Sequence, residues 1–353
     1  MNPENQKKLQ EYARGIAEIL YQEAAPEDLA SLGDIEKTIR QQTLDYVTPQ
    51  LGNFFIEKTT GTKAGRERIL KSIIGQLPVT EKQAEYLHLE SHQRISPALE
   101  ECCLRLSATV SYKNAEKDLP KYTGIKVSEK TLQRIVERHE FPEEEVRETI
   151  KEISLDGGKV RLRTETKGES CVWKDYKAIR ADNLVTKATF RENEVLIEWV
   201  NRQELSDPLT CLGDGHPGIW KIIGQIEAPV EKREVLDWFH LVENLYKVGG
   251  SQKRIQEAES LLWKGKVEET IALFSSLSKK QAENFCNYLR EHCHRIIDYS
   301  YFQENEICSI GSGAVESTIK QIDRRLKISG AQWNERNVPQ VLKLRCAYLN
   351  GTL

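Results

Sequence analysis

With 353 residues, 30% of them charged and 39% hydrophobic, the chain has room for two or three domains and the composition of a globular protein. No apolar run reaches the ~18–20 residues of a membrane span, and the polar start at Met1–Asn5 lacks the features of a signal peptide, so no membrane partner and a cytoplasmic location are expected. The formal net charge of -3 restricts any nucleic-acid binding to local basic patches, and eight cysteines without a Cys-x-x-Cys pair point to a reducing compartment rather than a disulfide framework.

In chain order, Leu9, Tyr12, Ala13, Ile16, Ile19 and Leu20 recur at three- and four-residue spacing and predict a helix over residues 1–31. A second helix is expected from Gly33 to Tyr46. Residues 47–66 hold most of the turn formers of this half and read as a loop with room for one short strand. Residues 1–90 therefore read as a mostly helical N-terminal region. From Ser91, the stripe Ile95, Leu99, Cys102, Cys103 and Leu106 predicts another helix. It is followed by Ser111–Leu119, a polar turn around Pro120 to Gly124, and Val127–Arg138. In that last segment Ser128 is a natural N-cap, and Leu132, Ile135 and Val136 give an inner face. Helix, glycine-containing turn and capped helix is the plan of a helix-turn-helix, assigned to residues 91–140. Its second helix would turn Glu129, Lys130, Thr131, Gln133 and Arg134 toward a major groove, with Lys130, Thr131 and Arg134 as candidate DNA contacts. An ordinary helical hairpin is the alternative.

Phe141–Val146 reads as a linker into a region of strands. Glu152–Thr164 alternates like two strands joined by a tight hairpin at Gly157-Gly158, with Asp156 closing the first. Ser154 and Asp156 face away from Ile153 and Leu155. Cys171–Ile179 is a third strand, Val195–Val200 part of a helix and Leu209–Leu212 a fourth strand. Val235–His240 is a fifth strand, running into a helix with Leu241 and Leu245. Three strands in a meander, then strands alternating with helices, predict an α/β fold with a ribonuclease-H-like mixed sheet. It is assigned to residues 148–250 and 306–353, with a helical insertion at 251–305. Cys286, His292, Cys293, His294 and Cys308 match no zinc-ligand spacing and read as helical core residues.

Three acids stand out. Asp214 lies between Gly213 and Gly215 at the end of the fourth strand, where glycines leave a carboxylate unshielded. It either holds a metal ion or caps the helix that starts near Pro217. Asp156 is on the first strand. Glu316 follows the Gly311-Ser312-Gly313 turn on a helix that carries Lys320, Arg324 and Lys327 four, eight and eleven residues later, on the same face. From Ser317 to Leu353 seven basic residues stand against Asp323 and Glu335. Gathered carboxylates suit two hard divalent ions ~3.5–4 Å apart acting on a phosphodiester.

Asp156-Gly-Gly, Leu212-Gly-Asp-Gly-His-Pro-Gly-Ile-Trp220, Asp237-Trp-Phe-His240 and Gly313-Ala-Val-Glu-Ser317, followed by Arg324-Arg-Leu-Lys327 and Gln332-Trp-Asn334, together resemble DDE-type insertion-sequence transposases of the ISKra group. The resemblance covers residues 90–353. It implies a ribonuclease-H-like fold, a catalytic and metal-binding triad of Asp156, Asp214 and Glu316, and two Mg²⁺ or Mn²⁺ ions. It further implies cleavage of transposon terminal inverted repeats, joining to target DNA, at least a homodimer on DNA, and a bacterial, nucleoid-associated setting. Members often carry an N-terminal zinc ribbon. No cysteine precedes Cys102 here, so that mode of DNA recognition does not carry over. Asp237 and His240 flank the same sheet edge, where His240 either orients a water or phosphate or is structural. His216 contacts DNA or caps a helix. Trp333 stacks on an unpaired base or packs in the core, and Arg324, Arg325 and Lys327 contact phosphates or form a solvated face. An inactive or domesticated DNA-binding derivative and a nuclease that cuts without joining are the alternative functions.

Overall fold

The computed structural model describes residues 1–164, 166, 169–227 and 231–353. The chain divides into two compact units, Met1–Ile135 and Val136–Leu353.

The first unit holds α1 (Pro3–Gln22), α2 (Leu32–Gln42), α3 (Thr48–Thr60), β1 (Glu67–Ser72), β2 (Gly75–Thr80), α4 (Glu81–Tyr86), α5 (Pro97–Thr109), α6 (Tyr112–Thr123) and all but the last three residues of α7 (Glu129–Arg138). Helices begin where a polar side chain satisfies a free backbone N–H: Asn2 for α1, Ser31 for α2, Ser96 for α5, Ser111 for α6 and Ser128 for α7. Four expectations are corrected. The first helix stops at Gln22, not residue 31. Its apolar stripe is not buried: Leu9, Tyr12, Ile16 and Ile19 are all exposed. Residues 48–60 are helical rather than loop, because Pro49 sits in the first turn, where a missing N–H costs nothing. Residues 67–80 form an antiparallel hairpin whose Leu70, Leu77 and Val79 pack with Ala84, two strands in a mostly helical region where room was seen for one.

The second unit holds β3 (Ile150–Leu162), β4 (Val172–Ala181), β5 (Val185–Phe190), α8 (Asn193–Asn201), β6 (Leu205–Gly213), α9 (Pro217–Gly224), β7 (Lys232–Leu236), α10 (Trp238–Val248), α11 (Gln252–Trp263), α12 (Val267–Ser275), α13 (Lys280–Glu291), α14 (Tyr299–Glu304), α15 (Gly313–Leu326) and α16 (Val338–Leu349). The five strands form one mixed sheet in the order β5-β4-β3-β6-β7. β4 runs antiparallel to both β3 and β5, while β3, β6 and β7 are parallel. Ile153, Leu155 and Ile179 join a core cluster with Leu196 and Trp199 of α8, Ile219 and Ile223 of α9, and Ile255, Leu262, Phe274 and Leu289 of the segment read as an insertion. Burying each such aliphatic side chain stabilises the fold by about 1.5–3 kcal/mol. α15 lies on β3 and β4, and α16 on β5. Among the described residues no helix is long and apolar enough to cross a membrane.

Gly157-Gly158 makes no turn. β3 runs straight through it, and Asp156 is interior to the strand rather than its last residue. A Cβ on Gly158 would lie 2.4 Å from the Tyr176 ring, so the glycine admits that ring across the strand. The Tyr176 hydroxyl then donates to Asp323 of α15 at 2.8 Å. β5 was missed because its buried positions include Thr186 and Thr189, so burial there does not follow the apolar residues that a sequence pattern reads. The last strand ends at Leu236, and Trp238–His240 open α10 instead of extending it.

Candidate active site

Sheet register builds the site. Leu155 pairs with Gly213, and Gly213 with Leu236. The next residue on each chain is an aspartate, so Asp156, Asp214 and Asp237 stand in a row across three adjacent parallel strands, spaced by about 4.8 Å per strand. Asp237 is completely buried. One of its oxygens accepts from the backbone N–H of His240 at 2.7 Å, which caps α10. The other accepts from the Ser312 backbone N–H and from the Ser312 hydroxyl at 2.6 Å. Trp238 N–H also donates to the Ile310 carbonyl at 3.0 Å. These bonds fasten the start of α15 to the end of β7, so Glu316 reaches the aspartate row after the long helical segment.

α15 turns Val315, Ile319, Ile322 and Leu326 inward. Its outer face carries Glu316, Lys320, Arg324 and Lys327, none of them buried. Lys320 lies 3.2 Å from Glu316, and Lys327 lies 2.6 Å from Asp323. Glu304 and Glu306, at the end of α14 and just past it, are exposed and lie on no such row.

Electrostatics tie the acids together. Burial is the main force pushing the Asp156 carboxyl up to about 6; a bond from the Gly157 N–H opposes it, and the Asp214 and Glu316 charges add to it. His240 Nδ1 lies 3.2 Å from Asp237 and 3.7 Å from Glu316. It is buried and aligned with neither as a hydrogen bond, so the contacts are bent ion pairs. The Asp237 carboxylate is the main cause that lifts His240 to about 9; burial opposes, and Glu316 and Asp214 contribute. Burial works to raise the Asp237 carboxyl, but the bonds from His240 and Ser312 outweigh it and hold it below the usual range. The acids around His240 thus favour its protonated form in the metal-free chain.

Asp156, Asp214 and Glu316 are carboxylates, the oxygen donors that hard divalent ions take. Among the described residues, the group of acids and histidines whose ligand atoms fall within 4.8 Å of one another is Asp237, His240 and Glu316, and Asp156 and Asp214 lie outside it. Three hydrogen bonds hold the Asp237 carboxylate in place beside His240 and Glu316.

The other sequence-predicted residues divide. His216 is the N-cap of α9, accepting from Gly218 N–H at 3.0 Å, while Asp214 accepts from His216 N–H at 2.9 Å. Asp214 therefore braces the turn before α9 and leaves the cap itself to His216. Lys130 and Arg134 are exposed on α7 and Thr131 is half-buried. Two DNA-contact assignments are corrected. Arg325 is 2% exposed, with its guanidinium 4.9 Å from the Trp333 ring centroid. Trp333 is 9% exposed and donates its indole N–H to the Leu326 carbonyl at 2.9 Å. Both are packing residues on the inner side of α15, because Arg325 falls off the row shared by Glu316, Lys320 and Arg324.

Sequence reasoning missed Ser312 and Tyr288. A Cβ on Gly215 would lie 2.4 Å from the Tyr288 ring, so α13 presses directly on the Asp214 turn. The Gly311-Ser312-Gly313 turn was visible in the sequence, but its partner 75 residues away was not.

No family model matches the sequence, and no curated protein matches it. Among solved structures the chain is similar to the Drosophila P element transposase strand transfer complex, with a TM-score of 0.32 and 11% identity over 76% of this chain and 82% of that one. A likeness of that size assigns no residue a role.

Proposed function

We propose that the second unit is a ribonuclease-H-like polynucleotidyl transferase core, and that the protein is a DNA transposase of the DDE type whose motifs it resembles. One observation carries the reading: register sets Asp156 and Asp214 side by side on adjacent strands, and Glu316, on an exposed basic helix face 160 residues after Asp156, is near enough for its charge to act on Asp156. The order of three antiparallel strands followed by two parallel ones supports the fold. Asp156, Asp214 and Glu316 would hold two Mg²⁺ or Mn²⁺ ions. When bound, such ions activate the attacking oxygen and stabilise the leaving one. In cleavage a water oxygen replaces the bridging 3′-oxygen at phosphorus. In joining, the freed 3′-hydroxyl attacks a target phosphodiester and displaces its 3′-oxygen. Lys320, Arg324 and Lys327 would contact the phosphates next to the scissile one. His240, held by Asp237, would place its charge beside Glu316. Joining two terminal inverted repeats to one target calls for at least two copies of the chain.

The test incubates the full chain with Mg²⁺, a duplex carrying the inverted repeat that flanks its gene, and a target plasmid. Asp156→Asn, Asp214→Asn and Glu316→Gln should each reduce cleavage and joining on the order of 10³-fold, while anisotropy shows DNA binding unchanged. Full activity in any one variant removes that residue from the triad. Cleavage without joining would make the protein a nuclease, and binding without either reaction would make it a non-catalytic derivative.

A further inference from the structure

β3 and β4 outrun their sheet. β6 pairs with β3 only as far as Leu155, and β5 pairs with β4 only from Tyr176 onward. Lys159–Leu162 and Val172–Asp175 therefore leave the five-stranded sheet and pair with each other as a ribbon, fastened on the β3 side by main-chain bonds of Arg161 and Arg163 to Trp333. Alternation places Lys159 and Arg161 on one face of it. Register sets Asp175 opposite Lys159 and Trp173 opposite Arg161, and directly opposed residues share a face. Lys177, two residues beyond Asp175, continues that face and brings its ammonium over Gly157.

Trp173 is 51% exposed. Trp199, Trp220, Trp238 and Trp333 are buried and Trp263 is half-buried, so Trp173 alone among the six tryptophans is spread on the surface. Residues 157–164 and 171–177 carry five basic side chains, Lys159, Arg161, Arg163, Lys174 and Lys177, against the single acid Asp175. None of the five makes an ion pair among the described residues. An exposed apolar ring gains by being covered, and the charge around it selects a polyanion rather than an apolar protein partner.

We infer that the Trp173 face of this ribbon binds unpaired DNA, one base stacking on the indole while Lys159 and Arg161 hold the flanking phosphates. A base inside a duplex has no free face to offer, whereas any unpaired base has one. The Arg161–Trp173 pair lies five residues beyond Asp156, about 17 Å along the strand, and alternation puts it on the opposite face of β3 from that acid. The place of this contact in a reaction rests on the transposase reading, but its chemistry does not.

The experiment measures anisotropy of the full chain, without metal, on a labelled oligothymidylate and on a matched duplex. Trp173→Ala should weaken single-strand binding about tenfold or more and leave duplex binding unchanged, and Trp173→Phe should restore most of the loss. Joint Lys159→Ala and Arg161→Ala should lower the salt slope on the single strand by about 1.4, for two phosphate contacts. A 2-aminopurine placed in the oligonucleotide should be quenched by the native chain and by Trp173→Phe, not by Trp173→Ala. Equal single-strand affinity in the native chain and Trp173→Ala, or equal loss on single strand and duplex, overturns the inference. Because no readout needs cleavage, an inactive chain with Trp173-dependent single-strand binding would refute the transposase reading alone. An active chain without it would refute the ribbon site alone.

Discussion

In α6 and α7 the contacts that set geometry span a few residues: Gly124 N–H donates to the Pro120 carbonyl, and Thr131 N–H to the Ser128 hydroxyl. At the acid edge of the sheet the partners are far apart in sequence, Ser312 and Asp237 by 75 residues and Tyr176 and Asp323 by 147. The first region is a string of independent local devices, each worth about 1 kcal/mol. The second is one network, in which buried polar groups depend on one another and the loss of one leaves others unpaired. Perturbations should therefore be small and additive on α7, and large and coupled at the edge.

Asp237 is the strongest test of that difference. Asp237→Ala would leave the Ser312 N–H and hydroxyl and the His240 N–H without their acceptor, inside a buried site. We expect a loss of about 3–5 kcal/mol in urea unfolding, together with loss of any metal-dependent activity as α15 comes free of β7. Asp237→Asn keeps an acceptor and should cost less in stability. It should still lower the His240 pKa, since the charge that raises it is gone. A cost below about 1 kcal/mol for Asp237→Ala would place the edge in the same class as a helix cap.

The pH profile follows, with a smaller effect. The His240 value is raised in the folded state, from 6.5 to about 9, so its contribution is fully present below pH 6.5 and is lost as pH rises through about 9. Asp156 is also raised, from 3.8 to about 6, by burial first and by its acidic neighbours next. Its folded form favours the proton, and that contribution is lost as pH rises through about 6. Both signs agree, so metal-free stability should fall in two steps. Asp156→Asn should remove the lower step and His240→Gln the upper one, in melting temperatures taken across the range. Mg²⁺ should raise the melting temperature more at about pH 8 than at about pH 5.5, because a ligand proton must leave Asp156 first. A shift independent of pH would show that Asp156 is not a ligand.

What was legible in the sequence divides along the same line. The Ser128 cap, the Gly124 turn, the start of α15 and the end of β6 at Asp214 are written in neighbouring residues. Gly157-Gly158 misled, because the same pair serves a hairpin or a close-packed strand, and only Tyr176, from the next strand, decides which. Arg325 misled because one position along a helix separates its outer row from its packed face, and Trp333 because the Leu326 carbonyl that takes its indole N–H comes from the preceding helix. Asp237 was visible only as a neighbour of the triad. Its place in the aspartate row came from the pairing of Leu155, Gly213 and Leu236, and no local signal carries that register. Trp173 could have been singled out, since it alternates with Lys174 and Asp175 on a polar strand, but its exposure depends on where β5 and β6 stop.

The smallest effect is expected on α7, and its form matters more than its size. Lys130 and Arg134 are exposed and four residues apart, so they lie on one side of the helix whose other side, Leu132, Ile135 and Val136, is buried. If that side meets DNA phosphates, Lys130→Ala and Arg134→Ala should each weaken duplex binding by a similar factor on all sequences and lower the salt slope by about 0.9. The two losses should add, since neither residue shares a partner with the other. Ser128→Ala supplies the control: it should cost about 1 kcal/mol in stability and leave the salt slope alone, because a cap orders the helix without touching phosphate. A salt slope unchanged in both lysine and arginine variants would leave α6 and α7 as a helical hairpin that only packs. A strongly non-additive loss would show instead that this surface, like the acid edge, works as a network.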